Sequence, residues 1–267
     1  MEVHHHPHVE RKRFKEYFLE FVMIFLAVTL GFFAEGLREH LSDKRIEGQY
    51  IVSFVEDLKQ DTANFNIVIP ASEINLKGVD SLLNSLLAMP YSDSSIRLMY
   101  YLKERYADVI LPMSYTTRTI SQLKNAGGLR FITDKRSSDS INSYNLWLDD
   151  VVEISKELQR DFTIPTIRLS NKIYNPRFLI PYEHTPAYGD APDRAILYSG
   201  QKMALLTKDQ SLISEYVNSL EWDRKLKHLY LTRLVAHQQL ALRLITFFSK
   251  RYNIESDKKE SQVNKIN

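Results

Sequence analysis

The chain of 267 residues has no cysteine, only 8 glycines and only 9 prolines. Without thiols, disulfide stapling and thiolate zinc sites are excluded, and the redox compartment is left open. Low glycine together with long Leu-rich periodic runs points to a mostly α-helical body. Charge of one sign is scarce too, since the net balance is +2 and no basic stripe with interleaved aromatics stands out. Nucleic acid is therefore not expected as a partner. Also absent are HExxH, a phosphate loop and a nucleophile elbow, so no catalytic residue, cofactor or metal is expected and the chain does not read as an enzyme.

The most informative segment is the N-terminal one. Arg11-Lys12-Arg13-Phe14-Lys15 leads into Phe21-Val22-Met23-Ile24-Phe25-Leu26-Ala27-Val28-Thr29-Leu30-Gly31-Phe32-Phe33-Ala34. Only 14 residues separate Glu20 from Glu35, whereas a spanning helix needs about 20 apolar residues. Counted from Tyr17 to Leu37, the stretch reaches roughly 31 Å at ~1.5 Å per residue, with Glu20 and Glu35 near the two interfaces. A buried core helix and a cleaved signal peptide are the alternatives. The apolar run flows into Leu37-Arg38-Glu39-His40-Leu41, still helical in pattern, which favours an uncleaved span.

Arg11, Lys12, Arg13 and Lys15 flank the span on one side, against Arg38, Lys44 and Arg45 on the other. The positive-inside rule then places the N-terminus in the cytoplasm and the body in the periplasm. The expected division is a tail at 1–16, a transmembrane helix at 17–37, a bundle domain at 38–253 and a disordered tail at 254–267. The fold class is all-α, an N-terminal transmembrane helix continuing into a coiled-coil-like helical bundle with one long irregular loop.

Along the body, Ile51, Phe54, Leu58 and Phe65 recur at steps of three, four and seven, as a helix seam does. A helix is expected over 43–69, with Pro70 ending or kinking it and a second helix restarting at Ala71-Ser72-Glu73 and running to Pro90. Ser92-Asp93-Ser94 offers a cap for a short helix. Another is expected over 114–126, closed by Gly127-Gly128, with a short turn after it. Ile141, Tyr144, Leu148, Val151, Leu158 and Phe162 form the cleanest run, interrupted only at Ser155. From 175 to 206 the chain is irregular. Thr207-Lys208-Asp209-Gln210 fits a capping box for a long helix or helix pair to 253, whose seam is Tyr230, Leu234, His237, Ala241, Leu244 and Phe248.

Phe14-Lys15-Glu16-Tyr17-Phe18-Leu19-Glu20-Phe21, Ile24-Phe25-Leu26-Ala27-Val28-Thr29-Leu30-Gly31-Phe32 and Glu56-Asp57-Leu58-Lys59-Gln60-Asp61 resemble a family of small membrane-anchored proteins of unknown function from Bacteroidota. Ser121-Gln122-Leu123-Lys124-Asn125-Ala126-Gly127-Gly128-Leu129-Arg130-Phe131-Ile132 resembles that family's central helix and glycine turn. The resemblance implies a single span, a helical body and an inner-membrane location in a two-membrane cell. It implies no activity.

Several groups are weighed as sites. His4-His5-His6-Pro7-His8 has imidazoles suited to nickel, copper or zinc, but nothing nearby fixes a geometry, and a flexible cationic tail is the adopted reading. Ala27 and Gly31 have the spacing that lets two spanning helices approach, and with Ile51, Phe54, Leu58 and Phe65 they are the candidates for pairing two copies. Arg118, Gln122, Lys124 and Arg130 are candidates for holding an anion, with a solvated face as the plainer account. Tyr182 and Tyr188 supply aromatic surface to the irregular stretch and are candidate ligand contacts. His237 is expected to be a hydrogen-bonded core histidine. The expected function is a membrane-anchored interaction or scaffold protein of the cell envelope, pairing with itself or an envelope protein. The alternative is a periplasmic ligand-sensing module acting through a separate partner.

Overall fold

The computed structural model describes residues 14–88, 90–109, 111–125, 127–178 and 202–254. Expectations for Arg11, Lys12, Arg13, the histidine run, Tyr182, Tyr188 and the tail from 255 lie outside the described residues. Among those described, every regular element is helical. In chain order they are α1 (Phe14–Leu87), α2 (Asp93–Leu102), α3 (Arg118–Asn125), α4 (Lys135–Glu157), α5 (Ile164–Ile173) and α6 (Gln210–Arg251). Two compact units divide the chain, one up to Tyr50 and one from Ile51.

In the first unit, α1 is long and apolar enough to cross a membrane, and none of its most apolar eighteen-residue window is buried. Thr29 Oγ1 donates to the Phe25 carbonyl at 2.7 Å, which satisfies its hydroxyl inside the helix. Glu35 and Arg38 pair one turn apart, Nε donating to Oε2 at 3.0 Å.

In the second unit, α6 runs antiparallel to α1: Phe54 meets Phe248 at 5.6 Å between ring centroids, and Phe65 meets His237 at 5.6 Å. α4 runs parallel to α1, with Tyr144 against Phe54 and Val151 and Leu158 in the cluster around Phe65 and Ile69. A second cluster gathers Val79, Leu82 and Leu86 of α1, Met99 and Tyr100 of α2, and Tyr216 and Leu220 of α6. Each fully buried Leu, Ile or Phe contributes about 1.5–3 kcal/mol of transfer free energy, which is what holds these helices together.

Pro70 does not end α1, which continues unbroken to Leu87. Its ring lies on the exposed face, while Phe65 and Ile69 before it and Ser72, Asn75 and Val79 after it are buried. Burial on both sides of the proline outweighs the roughly 3 kcal/mol that an interior proline costs. The expected restart at Ala71-Ser72-Glu73 is therefore helix interior.

The run through α4 also differs from expectation. Residues 158–163 form a π-helical turn, closed by the Ile164 amide donating to the Gln159 carbonyl, just before Pro165 in the first turn of α5. One extra residue per turn shifts the buried face by one position. Phe162 is consequently half-buried at the rim, and Thr163 takes the inward position.

Helix starts follow local chemistry with two corrections. Ser92 caps α2 by accepting from the Ser95 amide at 3.1 Å, and Asp134 caps α4 by accepting from Ser137. At α6 the cap is Asp209, accepting from the Ser211 amide at 2.9 Å, and Thr207 instead takes the Asp209 amide. A carboxylate is the stronger acceptor here, so the expected box at Thr207 does not form. The helix expected from 114 begins at Arg118, and the Thr116 amide just upstream is engaged by Asp61 of α1. It ends at Asn125, and Gly127 just beyond has φ +63°, the left-handed conformation that follows many helix ends.

Candidate functional site

The polar features of the second unit sit on its helix seams. Ile51, Phe54, Leu58 and Phe65 are fully buried within the chain, so this seam joins α1 to α4 and α6. It is not an open face for a second copy. The seven-residue gap between Leu58 and Phe65 is filled by Asp61, itself fully buried. Asp61 accepts from the Tyr144 hydroxyl at 2.6 Å and the Thr116 amide at 2.7 Å. One turn earlier, Asp57 accepts from the Thr119 amide and from Arg118 Nη2, both at 2.9 Å. Two carboxylates on one face of α1 thus satisfy amides at the approach to α3 and in its first turn, and favour that end of its dipole. Burial pushes the Asp61 carboxyl up, against the lowering effect of its bonds from Tyr144 and Thr116.

Beside Asp61 lies an aromatic box. His237 is fully buried, with ring centroids of Tyr144 at 4.5 Å, Tyr115 at 5.4 Å, Phe65 at 5.6 Å and Trp147 at 6.4 Å. Its Nδ1 lies 3.4 Å from the Tyr115 hydroxyl, a long contact, and its Nε2 has no hydrogen-bond partner. Burial lowers its pKa to about 4, so the ring is neutral near pH 7. The core placement is as expected; the hydrogen bonding is thinner. Burial likewise raises the Tyr144 hydroxyl, helped by Asp61.

A third cluster joins two π-helical turns, Lys103–Ala107 and Leu158–Thr163, to α6. Thr163 Oγ1 donates to Asp223 Oδ1 at 2.6 Å, Lys227 Nζ lies 2.8 Å from Asp223 Oδ2, and Lys227 also donates to the Ala107 carbonyl at 3.0 Å. Lys103, buried in the other π-helical turn, pairs with Asp108 and with Glu104 at 2.7 Å. Burial opposes its charge, but the two carboxylates outweigh that and raise its pKa. The Tyr174 and Tyr216 hydroxyls and Asp108 Oδ1 are buried without a partner. A cavity of about 20 Å³ beside Lys227, Asn75 and Tyr230 has room for one water.

Of the anion candidates, Arg118 is engaged by Asp57 and lies 3.7 Å from Glu56, so its charge is already balanced by α1. Gln122 and Lys124 point to solvent, and Arg130 stacks over Phe131 at 4.7 Å. Lys15, Glu20 and Glu35 are exposed along α1, as are Ala27 and Gly31, and a Cβ on Gly31 would meet nothing within 4 Å.

Sequence reasoning missed Asp61, Asp223, Lys227 and Thr163. A signal was present for the first three. Apart from Leu231, the buried residues of α6 from Ile213 through Asp223, Lys227 and His237 to Phe248 keep alternating three- and four-residue steps. Asp223 and Lys227 are charged residues in phase with an apolar seam, as Asp61 is in α1. Thr163 carried no such signal, because the π-helical turn that brings it inward is not written in the period. No protein-family model, curated protein or solved structure matches this chain.

Proposed function

We propose that this chain is a membrane-anchored helical interaction or scaffold protein of the cell envelope, with the N-terminus cytoplasmic, the body periplasmic and no catalytic role. One observation carries the reading. The most apolar eighteen-residue window of α1 is uncovered by the rest of the described chain, and Phe21, Met23, Ile24, Phe25 and Phe32 are exposed. Such a surface is unstable in water and stable in hydrocarbon, where a helix satisfies its own backbone. The resemblance at the N-terminus to membrane-anchored proteins of Bacteroidota supports the same assignment.

The partner is a second copy or another envelope protein. The seam from Ile51 to Phe65 is occupied inside the bundle, so pairing of copies falls to the span, where Ala27 and Gly31 allow close approach. Three measurements test the reading. Extraction from membranes must require detergent rather than carbonate. Reporters fused after Asn267 must be active outside and silent inside. Crosslinking of the full chain in membranes must capture a dimer or an envelope partner; a monomer that captures nothing overturns the scaffold role.

A further inference from the structure

The end of the second unit where α4 begins and α6 finishes is rich in cations. Arg251 Nη2 donates to Asp134 Oδ1 at 2.7 Å and the Tyr252 hydroxyl donates to Ser137 Oγ at 3.0 Å, so the last turn of α6 lies against the first turn of α4. Phe248 against Phe54 places the start of the unit's α1 segment beside them. Lys135, Arg136, Lys250 and Arg251 are exposed there, and Arg130 is exposed four residues before the Asp134 cap. Among the described residues in the first turns of α4 and the last turn of α6, the acids are the cap Asp134, already engaged by Arg251 and Ser137, and Asp139, while Glu56 in α1 lies 3.7 Å from Arg118.

Helix electrostatics accounts for only part of this cluster. Lys250 and Arg251 sit in the last turn of α6, where the dipole favours cations. Lys135 and Arg136 occupy the first turn of α4, where it disfavours them, and no acid accompanies them in that turn. Further along α4 the exposed charge reverses to Asp149, Asp150, Glu153 and Glu157, with Lys156 lying 3.5 Å from Glu153. Positive charge is thus concentrated at one end of the unit, at a cost to the helix that bears part of it.

We infer that this end docks on an anionic lipid headgroup surface. Lys and Arg side chains clustered next to a membrane are attracted to its negative surface potential, and guanidinium groups bind phosphate bidentately. The inference rests on the membrane-anchor reading: residues 38–50 join the expected span end at Leu37 to the second unit at Ile51, so that unit is tethered to the bilayer the span enters.

Because the chain has no cysteine, single cysteines report position cleanly. Full-length Thr246→Cys, on the exposed face of α6 near its end, and Ser214→Cys, exposed near its start, are dye-labelled. Each is reconstituted in nanodiscs of phosphatidylcholine alone or with added phosphatidylglycerol, and energy transfer to a headgroup acceptor is read. Transfer from position 246 should rise about twofold with the anionic lipid and fall back in high salt, where a Debye length shrinks to ~3 Å. It should also fall back when Lys135→Glu, Arg136→Glu and Lys250→Glu are combined, while position 214 stays unchanged. A chain that enters the discs but gives equal transfer in both lipids overturns the docking and leaves the anchor standing. A chain that does not enter them overturns both. Equal transfer together with crosslinks from Lys135 to an acidic protein would make the surface a protein interface and reject the lipid.

Discussion

Thr163 Oγ1 donates to Asp223 Oδ1 at 2.6 Å, a bond between two fully buried side chains that exists only because a π-helical turn advances the buried face by one residue. Asp223 and Lys227 lie one turn apart in the α6 seam, with Lys227 Nζ 2.8 Å from Asp223 Oδ2, and Thr163 donates to the other carboxylate oxygen. Removing one partner of such a group leaves the other desolvated and unpaired.

Thr163→Val, close in shape, should therefore cost about 1–3 kcal/mol in urea denaturation of the full chain in detergent. Thr163→Ser keeps the donor and should recover most of it. Equal losses in both variants would mean that the methyl group, not the bond, matters.

Asp61→Ala should release the Thr116 amide and the Tyr144 hydroxyl together, a loss of about 1–3 kcal/mol. Hydrogen exchange should show its effect locally, with faster exchange through 116–125 than through the core of α6. Uniform protection across both regions would refute the role assigned to Asp61.

For His237, the folded pKa of about 4 lies below the ordinary 6.5, so the unfolded chain binds the extra proton between those values. Stability from this group is complete above about pH 6.5 and lost as pH falls towards 4, by about 3 kcal/mol in all. Asp61, with its carboxyl pushed up, acts in the opposite sense, adding stability at low pH that is lost as pH rises through its folded value. The wild-type chain compared with His237→Phe isolates the histidine, since Asp61 is common to both. The stability advantage of wild type over the variant should shrink across pH 6.5 to 4; a flat difference would remove His237 as an acid-sensitive group.

At Gly78 an added Cβ would sit 2.1 Å from Cγ and Cδ2 of the Tyr106 ring, near its root rather than at a movable tip. Asn75 Nδ2 holds the Tyr106 carbonyl at 2.7 Å, so the residue has little freedom to retreat. Gly78→Ala should destabilise by about 1–3 kcal/mol despite alanine's better helix propensity. A thermal midpoint that rises in the variant would contradict this packing.

In the apolar segment, Ala27→Ile and Gly31→Ile together should convert a detergent-solubilised dimer to monomer without changing the helical signal, as read by crosslinking and circular dichroism. A dimer that persists would move the association site to the bundle.

Local rules carried the sequence reading where one helix decides its own features. The apolar run, the Ser92 cap, the left-handed turn at Gly127 and the seam of α6 depend on residues within a turn or two of each other, so their spacing records them. Asp61 was half legible, as the gap in an otherwise regular seam. The pairing of Arg118 with Asp57 is not legible in the sequence, because the two lie sixty-one residues apart in the chain.

The sequence by itself determined an all-helical chain among the described residues and one segment apolar enough to cross a membrane, because periodicity and hydropathy are sums over neighbours. The tertiary structure alone decided that α1 runs through Pro70, that α3 starts at Arg118 and that Thr163 rather than Phe162 faces inward. Each of those outcomes turns on burial against a distant helix, where packing and desolvated hydrogen bonds outweigh the local preference for a break, a cap or an unshifted turn.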